Sequence, residues 1–262
     1  MDKYDLYQLC VQLPETDIAV LCAIHAWFAN RQSVASHPLV FSDEFAGPGA
    51  LARQWVKAVT DSHAFAIDAD PEPLERAYDI ERVTPVCANV MDVHEKADII
   101  AGLNFAICEW HARSDLLAYL KHARSRLLPH GFFACDLYVG SDSLMTGEIV
   151  QQFAGPDGED IEYCWEQQHV DLLTNRVQNA LHFVVTKSDG AVTEFPSAFE
   201  YDWRLWSIVE LRDAMHEAGF AQVEVFVRDE IALDDNGDVH VVPASFAEDL
   251  DESDQVLVCA TA

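Results

Sequence analysis

Basic residues are scarce in this chain of 262 residues: 16 Lys and Arg stand against 45 Asp and Glu, a formal net charge of -29. Lysine occurs only at positions 3, 57, 96, 121 and 187. A nucleic acid would be repelled by the mean field of such a surface, and no Lys/Arg cluster offers a basic groove to overcome it, so no nucleic-acid partner is expected. The excess acid suits a salt-rich cytoplasm and an ordinary acidic enzyme equally. Long apolar runs are missing too. None approaches the roughly 18 to 20 residues that span a bilayer, and Met1-Asp2-Lys3-Tyr4-Asp5 lacks the basic flank and apolar stretch of a signal peptide. A cytoplasmic location without a membrane partner is the expectation. The cysteines, at 10, 22, 87, 108, 135, 164 and 259, are odd in number and contain no C-x-x-C pair, which argues against a disulfide framework.

What is present is ample apolar matter: 50% of residues are hydrophobic, enough for a sizeable core in one domain. Ile18, Leu21, Ile24 and Phe28 recur at helical spacing between Pro14 and Asn30, with Thr16 as the expected cap. Strand-like runs then alternate with helical ones. Leu39-Val40-Phe41 leads into the glycine loop Asp43 to Gly49 and a helix from Ala50 to Val59. Ala64 to Ile67 ends at Asp68, with Asp70 and Pro71 opening a helix. Val83 to Ala88, Ala97 to Asn104 and Phe132 to Asp136 follow, the last after a helix from Ser114 to Leu128 stopped by Pro129 and Gly131. This alternation predicts an α/β fold with a parallel sheet and helices on both faces.

From Val139 to Trp203 the pattern changes. Ile161 to His169, Val177 to Lys187 and Val192 to Trp203, with a Ser188-Asp189-Gly190 turn, predict a three-stranded antiparallel insertion after the fifth strand. The capping box Ser207-Ile208-Val209-Glu210 then opens a helix stopped by Gly219. Strands at Gln222 to Val227 and Val256 to Cys259 bring the main sheet to seven. The single domain thus divides into an N-terminal helical segment (1–38), a core (39–138), the insertion (139–203) and the rest of the core (204–262).

Glycines after a buried first strand let a ligand approach the backbone at the carboxyl edge of the sheet. Gly47-Pro48-Gly49-Ala50-Leu51-Ala52 satisfies a permissive G-x-G-x-x-A, so a nicotinamide dinucleotide and an NAD(P)-dependent oxidoreductase must be weighed. Asp43 and Glu44 argue against it, since a pyrophosphate disfavours acid groups beside its helix N-terminus. A ligand carrying an ammonium and a sulfonium is attracted to them, and S-adenosylmethionine (SAM) is such a ligand. Asp68, followed by Ala69, is placed to accept hydrogen bonds from ribose hydroxyls. Asn89 and Val90 are candidates for contact with adenine, and Asn104 and Phe105 lie beside the expected methyl-transfer point.

In Asp43 to Gly49, Ala66 to Glu72 and Leu128 to Phe133 the chain resembles the class I SAM-dependent methyltransferases. It is most similar to a bacterial subgroup sharing Tyr7, Val11-Gln12, Pro14, Asn104 to Trp110 and Tyr163 to Gln167. The resemblance implies a Rossmann-like seven-stranded sheet with an antiparallel last strand. It also implies cofactor contacts at Asp43, Glu44, Phe45, Ala46, Gly47, Gly49, Asp68, Asn89 and Asn104. One residue departs from the usual acid-x-G-x-G-x-G: Phe45 replaces the first glycine.

Methyl transfer needs no covalent intermediate, so the search is for a base and a pocket. His111, just beyond the fourth strand, is the candidate base. Tyr7, Tyr138, Trp165 and Arg204 are candidate pocket residues for a small-molecule acceptor, with the insertion as a lid. A homodimer through the insertion is the rival use of its aromatic, Arg-bearing surface. A non-catalytic SAM-binding module is the remaining alternative. No metal is expected, because Cys108-x-x-His111 is an isolated pair. Asp234-x-Asn236-x-Asp238 has the spacing of a calcium loop but has Val239 and Ser245 where Gly and Glu are needed.

Overall fold

The computed structural model describes residues 1–34, 37–228, 232–233 and 239–262; the calcium-like spacing of Asp234, Asn236 and Asp238 lies outside them. The chain forms two compact units, one of residues 13–140 and 206–262 and a smaller one of residues 1–12 and 141–205.

The large unit is built on a seven-stranded sheet. Its strands are β1 (Val40–Glu44), β2 (His63–Asp68), β3 (Val83–Cys87), β4 (Ala97–Gly102), β5 (Leu127–Val139), β10 (Gln222–Val227) and β13 (Asp254–Thr261), in the order β10-β13-β5-β4-β1-β2-β3. β13 runs antiparallel to both β5 and β10, and the pairs among β1 to β5 are parallel. The chain winds outward from β1 to β3 and then returns to β4, so the topological switch lies between β1 and β4. In open α/β sheets, ligands bind in the crevice at the carboxyl ends of the strands beside such a switch.

The helices of this unit are α2 (Pro14–Gln32), α3 (Ala50–Ala58), α4 (Pro71–Leu74), α5 (Arg113–Ser125) and α6 (Ile208–Ala218). α2 begins two residues before the expected Thr16 cap, because Pro14 occupies the first helical position, where a missing N–H costs nothing. Its Ile18, Leu21, Ile24 and Phe28 are buried as the spacing predicts. Phe28 meets Phe132 at 5.7 Å between ring centroids, and Phe41 stacks on Trp55 at 5.2 Å. All four rings are essentially inaccessible, each burial being worth about 1.5 to 3 kcal/mol before conformational entropy is subtracted. Asp70 caps α4 through Glu72 N–H at 3.0 Å, and the Ser207–Glu210 capping box and Gly219 stop of α6 form as read.

α5 is shorter than the sequence suggests. It ends at Ser125 rather than Leu128, and Leu127 already pairs with Ala97 of β4. The next pair is Ile99 with Phe132, so Leu128 to Gly131 bulge out of β5 and the helix-stopping Pro129 and Gly131 mark that bulge. A Cβ on Gly131 would fall 2.5 Å from the Asp98 carbonyl oxygen, which is why glycine stands there.

The small unit is a four-stranded antiparallel sheet of β6 (Gly147–Ala154), β7 (Asp160–Asp171), β8 (Arg176–Thr186) and β9 (Val192–Arg204) in sequential order. The reading of three strands missed β6, which is exposed over nearly its whole length and lacks the alternation that marks a half-buried strand. The 188–190 turn closes through Gly190 N–H to the Lys187 carbonyl at 2.8 Å. Helix α1 (Lys3–Cys10), at the start of the expected N-terminal helical segment, belongs to this unit. Asp2 and Asp5 form its capping box, and its Leu6 is fully buried with Ile161, Tyr163, Leu181 and Phe183. Within the residues of the large unit, β11 (Ala232–Leu233) pairs antiparallel with β12 (Val239–His240). No single helix among the described residues is long and apolar enough to cross a membrane.

Candidate functional site

The glycine loop leaves β1 at the carboxyl edge of the large sheet, and strand alternation separates its two acids. Asp43 faces α3: its carboxylate accepts the Ala52 N–H at 3.0 Å and so occupies one of the helix's unpaired N-terminal donors. Glu44 faces the other side, toward α5. There it accepts from the Tyr119 hydroxyl at 2.5 Å and pairs with the Arg126 guanidinium, which also donates to Ser42 Oγ at 3.1 Å and to the Glu95 carbonyl at 2.9 Å. Burial pushes the Asp43 carboxyl well above its ordinary range; it pushes Glu44 up as well, opposed by Arg126 and Tyr119. The two acids therefore do not stand side by side at the loop entrance, and the Glu44 carboxylate is committed to the buried pair.

Phe45, Gly47 and Gly49 all adopt left-handed backbone, with φ of 56°, 51° and 67°. The loop thus turns three times in the same sense, at the three places where the usual motif has glycine. Phe45 takes the first despite its side chain, whose ring packs edge-on against Tyr119 and Trp110 at 5.9 and 6.4 Å. The substitution leaves the turn in place and fills the space beside Gly102, where an added Cβ would lie 3.6 Å from Phe45. Gly49 is required sterically: a Cβ would meet that of Ala77 at 2.9 Å. Nothing lies within 4 Å of a Cβ placed on Gly47, so the loop is open there. Ala46 N–H donates to the Ile67 carbonyl at 2.9 Å, tying the loop to β2.

Asp68 ends β2 half-buried. Its two oxygens accept from Gly47 N–H at 2.6 Å and Asp70 N–H at 2.9 Å, so one carboxylate links the glycine loop to the β2–α4 turn that exposes Ala69. Each oxygen keeps a further lone pair for a ligand hydroxyl. Asn89 is exposed beyond β3, with its amide oxygen capping the next turn through Met91 N–H at 2.9 Å, while Val90 is buried. Asn104 and Phe105 follow β4 in consecutive left-handed conformations, φ 57° and 64°. Their N–H groups both donate to Asp136 of β5, at 2.9 and 2.7 Å.

The sequence does not single out Asp136, nor its neighbours Arg228 and Asp17. Arg228 pairs with Asp17 of α2 and lies 3.7 Å from the Asp136 carboxylate. Burial raises Asp136 to about 6, against Arg228 and the two backbone donors. Tyr138 lies edge-on to Phe105 at 5.0 Å, and His111 follows the same loop half-buried. Of the other candidates, Tyr7, Trp165 and Arg204 belong to the small unit. Tyr7 packs on Phe199 at 5.0 Å, Trp165 lines that unit's apolar cluster, and Arg204 sits opposite Arg176 across β8 and β9. Among the described residues no group of His, Cys, Asp and Glu could hold a metal ion.

Numbering the sheet strands by succession, the order 3-2-1-4-5-7-6 with an antiparallel seventh is the class I methyltransferase fold. Solved structures agree. DesVI of Streptomyces venezuelae is 14% identical, with 98% of this chain and 96% of that one covered and a TM-score of 0.70. The SAM-bound amino pentose methyltransferase CalS10 of Micromonospora echinaspora is 11% identical over 98% and 95% of the chains, with a TM-score of 0.67. The sugar N-methyltransferase KedS8 of Streptoalloteichus sp. ATCC 53650 is 14% identical over 99% and 93%, with a TM-score of 0.66. No protein-family model matches the chain, and no curated protein is similar in sequence.

Proposed function

We propose that this chain is an enzyme that transfers a methyl group from SAM to a small-molecule acceptor. The observation that carries the reading is the loop at the carboxyl edge: three left-handed residues open at Gly47, tied by its N–H to Asp68. An NAD(P)-dependent oxidoreductase is disfavoured because Asp43 already occupies a donor at the N-terminus of α3, where a dinucleotide would seat its pyrophosphate. The double bond-acceptor capacity of Asp68 suits the two ribose hydroxyls. The amide nitrogen of Asn89, left over from its cap, suits an adenine edge. When bound, SAM supplies an electrophilic methyl group on a sulfonium.

The chain's own part is to hold and orient, to exclude water, and to accept a proton where the acceptor must lose one. His111 is the residue assigned that proton. Tyr138 of the large unit is assigned to the acceptor; the other candidates, Tyr7, Trp165 and Arg204, belong to the small unit. CalS10 and KedS8 are described as amino pentose and sugar N-methyltransferases. A small acceptor bearing an amine is therefore the first class to try.

Calorimetric titration with SAM, S-adenosylhomocysteine (SAH) and NADH tests the reading. SAM and SAH should bind and NADH should not. Asp68→Ala should weaken both by roughly tenfold to a hundredfold, the loss of a charge-assisted acceptor costing about 1.5 to 3 kcal/mol. Absence of SAM binding, or unchanged affinity in Asp68→Ala, would sink the assignment. Mass spectrometry of extract incubated with methyl-labelled SAM then names the acceptor.

A further inference from the structure

The chain leaves the large unit after Gly140 and rejoins it at Trp206. Both ends of that excursion touch the same loop. Four residues before the exit, Asp136 receives the N–H groups of Asn104 and Phe105 on its two separate oxygens, and two residues before it Tyr138 packs edge-on against the Phe105 ring. At the return, the Trp206 indole N–H donates to the Trp110 carbonyl at 3.1 Å, and the Trp206 backbone N–H bonds the Cys108 thiol. Trp206 and Cys108 are buried, as is Asp136. The exit itself is fixed: Gly140 has φ 100°, and a Cβ there would lie 2.2 Å from the Glu252 carbonyl oxygen.

The loop so held is not a relaxed one. Asn104 and Phe105 are consecutive non-glycine residues in the left-handed region, a conformation that persists only where surrounding contacts enforce it. A carboxylate with an oxygen for each N–H is the contact that enforces it at the start of the loop, and the two Trp206 donors do so at its end. We propose that Asp136 and Trp206 are positioning residues that clamp the Asn104–Trp110 loop from the two chain segments bounding the insertion. The relevance of the clamp to methyl transfer rests on the function proposed above, because it is that reading which puts Asn104 and Phe105 beside the cofactor. The clamp itself is a property of the polypeptide.

Residue-resolved amide hydrogen exchange on the full chain, with calorimetric SAH binding, tests this in wild type, Asp136→Asn, Trp206→Phe and the double variant. Asparagine has one carbonyl oxygen for two N–H groups, so Asp136→Asn should lower protection at Asn104 and Phe105 about tenfold or more. Trp206→Phe keeps the ring bulk but loses the indole donor, and should lower protection within Ala106 to Trp110. Each single variant should weaken SAH about threefold to tenfold, and the double no more than the weaker-binding single, since a loop released at one end has little left to lose. Ser207→Ala, which destabilises α6 by removing its cap, should leave the loop's exchange unchanged.

Unchanged protection in both single variants, additive losses of SAH affinity, or equal opening in Ser207→Ala would overturn the proposal. If wild type fails to bind SAH, the functional reading falls while the exchange data still decide the clamp. Should Asp136→Asn fail to fold, Trp206→Phe and its exchange pattern carry the decision.

Discussion

In the large unit the Arg126 and Glu44 side chains are 3% and 0% exposed, whereas in the small unit the paired Arg176 and Asp202 each remain 43% exposed. The chemistry of the two pairs is the same and their work is different. Around Arg126 the polar groups are desolvated, with Arg126 bonded to Glu44, Ser42 and Glu95 and Glu44 to Arg126 and Tyr119, so the network fixes the strand that launches the glycine loop. Asp136 with Arg228 and Asp17 does the same for the loop after β4. The small unit instead holds its sheet by apolar packing on α1 and leaves its ion pairs in water. Such a division fits a fold shared with proteins at 11 to 14% identity, since backbone geometry can persist while side chains change.

The most forceful way to break this comparison is Arg126→Met. It leaves the Glu44 carboxylate buried without its guanidinium, bonded to the Tyr119 hydroxyl, and removing one member of a buried pair typically costs about 3 to 5 kcal/mol. Urea denaturation should show a loss of that size. A second change, Glu44→Leu, should recover much of it, because the cost is that of an uncompensated charge rather than of the missing attraction. A loss below about 1 kcal/mol in Arg126→Met would mean that the large unit treats its charges no differently from the small one.

The next effect is one of pH, and its sign is opposite to that of an ordinary paired carboxylate. Asp136 is raised to about 6 by burial, over the opposition of Arg228 and the two backbone donors, while an unfolded Asp titrates near 4. Between those values the folded chain holds a proton that the unfolded chain has lost. The stability owed to this group is therefore fully present below about pH 4 and is lost as pH rises to about 6. Relative to Asp136→Asn, which cannot titrate, the wild type should lose roughly 2 to 3 kcal/mol across that window, at about 1.4 kcal/mol per pH unit. Parallel urea curves for the two proteins from pH 4 to 7 would show Asp136 to be ionised throughout, and would remove it from the set of strained buried acids.

These buried groups are also where reading the sequence ran out. Alternation of strands and helices, the capping box at Ser207 and the turn at Gly190 are local signals, and each leaves its mark within a few residues. The turn at Gly47 and Gly49 and the end of β2 at Asp68 were legible as local structure, because glycines after a buried strand mark a change of direction. Arg126 and Glu44 lie 82 positions apart, and Asp136 and Asn104 lie 32 apart, so nothing in either neighbourhood announces the other. A lone acid at the end of an apolar strand, as in Phe132 to Asp136, was the available signal. Glu44 was read with Asp43 as one acidic entrance because adjacency in sequence was taken for adjacency in space; a strand sends neighbours to opposite faces. β6 escaped for the converse reason, as an exposed edge strand needs no apolar alternation.

The smallest expected effect sharpens the comparison from the other side. In the small unit Arg176 stands directly opposite Arg204, a like-charged cross-strand pair, and Asp202 lies diagonally beside them, accepting from Arg176 Nε at 3.1 Å. Asp202→Asn removes the negative charge that offsets this repulsion but leaves an oxygen able to accept the hydrogen bond. With both partners 43% exposed, solvent screens most of the gain, and the cost should be no more than about 1 kcal/mol. Salt separates the two environments further. The gap between wild type and Asp202→Asn should shrink as ionic strength rises from about 0.05 to 0.5 M, because salt screens exposed charges more strongly as the Debye length shortens, while the Arg126→Met gap should hold. An Asp202→Asn loss of several kcal/mol that persists in high salt would show that the insertion, too, depends on a buried charge, and the distinction between the two units would fail at its simplest test.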